Sequence, residues 1–144
     1  NMLISPACLT QAKQLAEVEQ TQPLASGWGE SGFKGELGLA CSIILTAVEG
    51  DFLSGFICAR YAGDAAEIVN FAVRASHARR GIGRELLSAL LARLASLGVR
   101  GVTLEVNEQN SPAIHLYTQA GFNVLNKRKE FYGGQDALLM GKTL

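Results

Sequence analysis

Apolar residues along this chain recur at two spacings, and the switch between them outlines the elements. Within residues 7–19, Leu9, Ala12, Leu15, Ala16 and Val18 fall at mostly helical intervals, predicting a first helix that ends before Pro23. From Thr21 to Glu36, Gly27, Gly29, Gly32 and Gly35 surround Trp28 and Phe33, which predicts a loop or a broken helix whose aromatics dock onto something. Three apolar runs follow, Ala40–Val48, Phe52–Tyr61 and Ala65–Val73, separated by Glu49-Gly50-Asp51 and Ala62-Gly63-Asp64. They predict an antiparallel meander. Leu86, Leu87, Leu90, Leu91, Leu94 and Ala95 then form a stripe at three and four, a helix beginning near Gly83 and stopped by Gly98. Val102–Val106 is a strand. Asn110 or Ser111 can cap a short helix with Pro112 in its first turn, Ile114 and Tyr117 on one face and Gly121 at its end. Phe122–Tyr132 and Asp136–Lys142, joined by Gly133-Gly134, close the chain as a hairpin. The order of elements predicts an α/β chain of the α+β type: a mixed central sheet flanked by helices, parallel at its centre, with hairpins at both ends.

At 144 residues the chain suits one domain, residues 1–144. A content of 48% hydrophobic and 18% charged residues is that of an ordinary globular protein. The 13 basic and 13 acidic residues balance, which argues against nucleic acid as a direct partner. Cys8, Cys41 and Cys58 form no Cys-x-x-Cys pair and read as free thiols in a reducing compartment. Cys41 and Cys58, in apolar runs, are expected to be small buried residues. No apolar run approaches the roughly 20 residues needed to cross a bilayer, so a cytoplasmic protein without a membrane partner is expected.

Against this neutral background, Arg79-Arg80-Gly81-Ile82-Gly83-Arg84 places positive charge in one stretch between a strand and a helix, with Arg74 close in sequence. Glycine there lets the backbone approach a ligand, and the unpaired amides of a helix's first turn attract anions. Two familiar phosphate motifs do not fit. A dinucleotide fingerprint wants a third glycine where Leu86 stands, and a Walker loop wants Gly-Lys-Ser or Gly-Lys-Thr. A phosphate-binding nest and a plain helix start with solvated arginines both satisfy the segment.

Glu105 puts a carboxylate inside an apolar strand, where it requires a partner or a cleft, and Tyr117 lies on the next short helix. Together they could act as base and acid in transferring a group from a phosphate-bearing carrier. Equally, Glu105 could be an ion pair at a strand end, with an arginine as partner, and Tyr117 a core aromatic. His77 and His115 lack a Cys, Ser or acidic partner at telling spacing and form no metal-ligand cluster, so no metal is expected. Lys127-Arg128-Lys129 reads either as a draw for an acidic acceptor segment or as a solvated strand end.

Asn70-Phe71-Ala72-Val73, the arginine-glycine stretch, Leu104-Glu105-Val106, Asn110 to Tyr117 and Gly121-Phe122 together resemble the GNAT acetyltransferases. Within that family the chain is most similar to the bacterial subgroup that acetylates the N-terminal alanine of a small-subunit ribosomal protein. The resemblance implies a GNAT fold, acetyl-CoA as co-substrate, and the N-terminal segment of an acceptor protein, a ribosomal one, as partner. It implies that the backbone of Phe71, Ala72 and Val73 holds the acetyl and pantetheine part. Arg79, Arg80, Gly81, Ile82, Gly83 and Arg84 would bind the pyrophosphate, and Asn110 would touch the cofactor. Glu105 would be the general base and Tyr117 the general acid. The chain departs from the family at Ala78, where glutamine or arginine is usual. It departs from the subgroup at Asn107, often arginine, and at Phe131-Tyr132, where a Tyr-Tyr pair stands.

An α-ammonium, with a pKa of about 7.7 to 8.0, is cheaper to deprotonate than a lysine near 10.4 by roughly 3.5 kcal/mol. A glutamate near 4.3 still leaves direct proton transfer uphill by nearly 5 kcal/mol, so Glu105 must be raised by burial or act through water. A small-molecule amine acetyltransferase, a non-catalytic acyl-CoA-binding module and a phosphate-binding interaction domain are the competing readings. Trp28 and Phe33 either wall the acceptor cleft or pack in the core.

Overall fold

The computed structural model describes residues 2–22, 27–77 and 80–144, with residues 130–132 described by their backbone alone. Its seven strands form one sheet in the order β1-β2-β3-β4-β5-β7-β6. The strands are β1 (Leu3–Pro6), β2 (Ser42–Glu49), β3 (Phe52–Ala62), β4 (Ala65–Val73), β5 (Gly101–Asn107), β6 (Asn123–Tyr132) and β7 (Gln135–Thr143). The helices are α1 (Ala12–Gln20), entered through a 3-10 turn at Leu9–Gln11, then α2 (Gly29–Leu37), α3 (Ile82–Ser96) and α4 (Ser111–Gln119). The meander is β2-β3-β4, and the closing hairpin is β6-β7. Only β4 and β5 run parallel, so the parallel centre is a single pair.

Two elements depart from the sequence reading. Leu3–Pro6 is a strand on β2, with Leu3 opposite Val48 and Pro6 opposite Leu45. Four residues are too few to show a period, and Pro6 is tolerated because β1 is an edge strand. The glycine-rich stretch, read as a loop or broken helix, contains α2, whose burial of Phe33 outweighs the poor helix propensity of Gly32 and Gly35.

Helices cover both faces of the sheet. On one, Leu15 and Val18 of α1 and Phe33 of α2 pack with Ile44, Leu53, Phe56, Cys58 and Ala72. On the other, the α3 stripe of Leu86, Leu87, Leu90 and Leu94 packs with Leu45, Ile57, Ala59, Ile68, Val102 and Leu104, joined by Tyr117 and Phe122. Coverage on both sides explains why β3 reads as a continuous apolar run, buried from Leu53 to Ala59. Gly55 lies beneath α3: a Cβ there would be 3.1 Å from the Ala72 carbonyl oxygen and 3.2 Å from Leu86. Trp28 and Phe33 belong to this packing. Phe33 is fully buried, edge-on to both Trp28 (5.3 Å) and Phe56 (5.2 Å).

An ion pair fastens α2 to β3. The buried Glu36 carboxylate accepts Arg60 Nε at 2.8 Å and Nη2 at 2.7 Å, and the guanidinium lies over Trp28 at 5.7 Å. Arg60 beside it holds the Glu36 carboxyl below its ordinary range, against the opposing effect of burial. Cys58 packs next to this pair, and burial pushes its thiol up to about 12, as an inert core residue requires. Cys41 corrects the sequence reading: it is exposed, in the turn before β2.

Replacing Arg60 by leucine would leave a buried carboxylate without its main partner and should cost about 2–3 kcal/mol at pH 7. A carboxyl depressed in the folded state contributes its stabilisation above its unfolded value, about 4.3, and loses it as pH falls through the folded value. Urea denaturation of both proteins should therefore show the deficit shrinking from pH 7 to pH 4. A deficit that stays constant would contradict this account of the pair.

Candidate functional site

The parallel pair sets the site. β4 and β5 are bonded only from Ala65 opposite Gly101 to Ile68 opposite Leu104, and then they separate. Beyond that point β4 continues to Val73 on β3, and β5 continues to Asn107 on β7. A bulge at Val69 sits where the parting begins: Cys58 faces Asn70 and Ala59 faces Ile68, so β4 carries one extra residue there. Such an insertion bends a strand and raises its twist. The gap opens into a cleft with a cavity volume of about 920 Å³.

Main-chain groups of a strand alternate sides, so the register tells which ones face the gap. The Arg74 N–H donates to the Ser54 carbonyl on β3 at 2.8 Å. Residues of the same parity, Ala72 among them, therefore bond to β3, while Phe71 and Val73 turn their polar groups to the cleft. Two side chains meet those groups in keeping with this: Asn70 Oδ1 accepts the Phe71 N–H at 3.0 Å, and Gln22 Nε2 donates to the Val73 carbonyl at 2.8 Å.

At one end the cleft is bounded by the start of α3. Gly81 precedes its first turn at φ +78°, a conformation in which a Cβ is strained. Gly83 lies inside the helix, and its lack of a side chain keeps the wall low between Phe71 and Leu116. Gly81, Ile82, Gly83 and Arg84 line the cleft, and Arg80 beside them is exposed. Arg79 lies outside the described residues, as does Ala78. Arg74 does not join this group: its Nε donates to the Leu53 carbonyl at 2.8 Å and its guanidinium stacks on Phe52 at 4.9 Å.

Glu105, Asn110 and Tyr117 line the same cleft as Phe71, Ala72 and Val73. Glu105 follows Leu104, which packs toward α3, so it projects to the opposite face, and its side chain is 24% exposed. Tyr117 approaches from the α3 side. It is buried, with its ring 6.2 Å from Phe71 and 5.7 Å from Phe122. Carboxylate and phenol thus reach the gap from opposite faces of the sheet. Asn110 caps α4, its side chain accepting the Ala113 N–H at 3.3 Å, as the sequence pattern anticipates.

The ion-pair reading of Glu105 is realised by Arg128, whose Nη2 stands 3.4 Å from Oε1. Lys127 pairs with Glu108 at 3.0 Å and Asp136 at 3.3 Å, so neither is simply solvated, and these carboxylates raise the Lys127 pKa. Asn107 is buried in the cleft wall, donating to Gln135 at 2.6 Å and accepting the Gln109 N–H at 2.8 Å.

Sequence reading missed Gln22 and the buried Glu19. The Glu19 carboxylate accepts the Trp28 and Gly29 N–H groups, each at 3.0 Å, and Asn70 Nδ2 at 2.6 Å. It stands in for a cap at the start of α2, where bare amides favour a negative charge. Through Asn70 it also reaches the cleft strand. A signal was available: Ala12, Leu15, Ala16 and Glu19 share one face of α1, so a carboxylate ends a buried stripe.

Comparison with known proteins now bears on this geometry. The model of the acetyltransferase (GNAT) family matches residues 11–122. The ribosomal protein bS18-alanine N-acetyltransferase of Salmonella typhimurium is 36% identical over 118 residues, covering 78% of each chain. The enzyme of that name from Haemophilus influenzae is 32% identical over 133 residues, 89% of each. The crystal structure of the ribosomal-protein-S18-alanine N-acetyltransferase from Escherichia coli superposes with a TM-score of 0.90 at 28% identity, over 99% of this chain and 94% of that one. A family match over most of the chain, relatives above 30% identity and a shared overall fold establish that this chain is an N-acetyltransferase belonging to the GNAT family.

Proposed function

We propose that the chain transfers the acetyl group of acetyl-CoA to the N-terminal α-amine of a protein, the alanine of a small-subunit ribosomal protein, by direct attack in a ternary complex. The observation that carries this reading is the convergence, in the gap between β4 and β5, of cleft-facing main-chain groups, a helix start with arginine, a carboxylate and a phenol. The names of the relatives favour this acceptor. Such an acceptor is met in the cytoplasm.

In this reading the first-turn amides of α3, with Arg84 and the neighbouring Arg80 and Arg79, take the diphosphate. Pantetheine lies along Phe71–Val73 and extends the sheet where β5 has left it. The Val73 N–H, on the cleft side, donates to the thioester oxygen as negative charge develops there. The amine nitrogen attacks the carbonyl carbon and the C–S bond breaks. Glu105 receives the ammonium's proton, and its partial exposure gives water a route for that transfer. Tyr117 protonates the departing thiolate from the other face, so nucleophile and leaving group are served on opposite sides of the sheet. Holding both reactants in one gap supplies the proximity that a direct attack requires.

Thiol release from acetyl-CoA with a peptide beginning in alanine tests the reading, with polyamines and internal lysine peptides as controls. Turnover confined to polyamines would redirect it to small-molecule acceptors. Glu105→Gln and Tyr117→Phe should each lower kcat by about 10²- to 10⁴-fold, while calorimetry shows CoA affinity within about twofold of the parent. Activity unchanged in either variant would remove that residue from its role.

The cofactor half is tested separately. Gly81→Ala imposes the left-handed conformation on an L residue at a cost of about 1–2 kcal/mol, and should lower both thermal stability and CoA affinity. Arg84→Ala should weaken CoA roughly three- to tenfold at low salt, with less effect at high salt as screening grows. If both variants bind CoA like the parent, the diphosphate sits elsewhere.

A further inference from the structure

The end of α1 controls two main-chain groups on the cleft edge of β4. Glu19 and Gln22 stand three positions apart there, and they reach Asn70 and Val73, three positions apart on β4. The turn that carries them is closed by its own bonds: the Gln22 N–H donates to the Glu19 carbonyl at 3.1 Å, and Thr21 Oγ1 to the Val18 carbonyl at 2.7 Å. The partners dictate how each amide is turned. Both Glu19 oxygens accept main-chain N–H groups, so the end of Asn70 that meets them is its NH2, and its oxygen faces the Phe71 N–H. A carbonyl only accepts, so Gln22 offers Val73 its NH2. With Glu19 2% and Asn70 5% exposed, these bonds form a buried network rather than a surface contact.

From Phe71 to Val73 the cleft-facing groups run in the order N–H, carbonyl, N–H, carbonyl. Asn70 takes the first and Gln22 the last. One acceptor and one donor, the Phe71 carbonyl and the Val73 N–H, lie between these two stops. We infer that Gln22 and Asn70 are positioning residues that fix the register of the acyl carrier on β4, an inference resting on the reading that pantetheine lies along Phe71–Val73. Flexible methylenes join the pantetheine amides to the thioester. On a bare strand edge, an amide N–H could therefore choose either carbonyl, and the thioester oxygen either N–H. An amide bonded to the Val73 carbonyl would carry the thioester beyond the Val73 N–H, into a bound but unreactive pose. With both outer groups occupied, the amide falls to the Phe71 carbonyl and the thioester oxygen to the Val73 N–H.

Gln22→Ala tests this, because the Gln22 side chain is half-buried and bonds no member of the Glu19 network, whereas Asn70→Ala would strip a partner from a buried carboxylate. An unreactive pose that competes with the reactive one holds enzyme at saturation and is empty at low substrate. Kinetics with varied acetyl-CoA and saturating alanine-terminated peptide should therefore show kcat and the acetyl-CoA KM falling together. The expected fall is about two- to tenfold, the equilibrium effect of one added amide hydrogen bond, with kcat/KM within about twofold of the parent. A lower kcat/KM with an unmoved KM would make Gln22 a structural contact and overturn the inference, as would unchanged kcat and KM. A crystal structure of the parent with CoA separates the inference from the reading beneath it. Pantetheine on β4, with Gln22 still on the Val73 carbonyl and Asn70 on the Phe71 N–H, is the expected result. Pantetheine on β4 with either side chain displaced overturns the inference alone, and pantetheine away from β4 overturns both.

Discussion

The site depends on the separation of two parallel strands after four bonded positions. Main-chain N–H and C=O groups are obligatory bonding groups, and a strand that loses its neighbour exposes a row of them. Here the exposed row is short. It begins at the Val69 bulge, it faces a cleft that admits solvent and ligand, and two of its groups are met by Asn70 and Gln22. An extended ligand can complete such an edge as an added strand would. The cleft is thus a consequence of pairing rather than of any one side chain, and the helix start of α3 and the cap of α4 are placed by the strands that precede them.

Outside the cleft, two buried carboxylates tie helices to the sheet. Glu36 clamps α2 to β3 through Arg60, and Glu19 joins α1, the start of α2 and Asn70 on β4. Each accepts several hydrogen bonds, as a carboxylate removed from water must. Among the described residues, no buried side-chain nitrogen or oxygen lacks a partner. Glu19 has a second consequence: through Asn70 it holds the residue adjoining Phe71, so packing beneath one helix is transmitted to the strand that borders the gap.

Charge is arranged with similar economy. A chain with 13 basic and 13 acidic residues has no field to spare, yet cations collect at the α3 start and on β6. On β6, Lys127 and Arg128 are committed to carboxylates on or beside neighbouring strands, whereas Arg84 faces the cleft. Lysine and arginine on an edge strand also discourage pairing with another chain.

Elements with a strong local period were legible in the sequence: the α3 stripe, the meander of β2 to β4, the α4 cap at Asn110 and the closing hairpin. Elements without one were not. β1 is too short to show alternation, and α2, a glycine-rich segment of poor helix propensity, is helical only in its tertiary setting. Side chains whose partners are distant in sequence were harder still. Trp28 and Phe33 could be read toward a cleft or a core, Cys41 could be read as buried, and Arg74 could be grouped with arginines it does not join. Glu19 and Gln22 act on residues about fifty positions away, which no local pattern reports. The sequence by itself determined the helices and strands that carry a local period and which residue types stand near the phosphate-like loop, because those follow from periodicity and local backbone preference. Only the tertiary structure decided where β4 and β5 part and that Glu105 and Tyr117 meet the gap from opposite faces, because register and strand order are set by long-range pairing and packing.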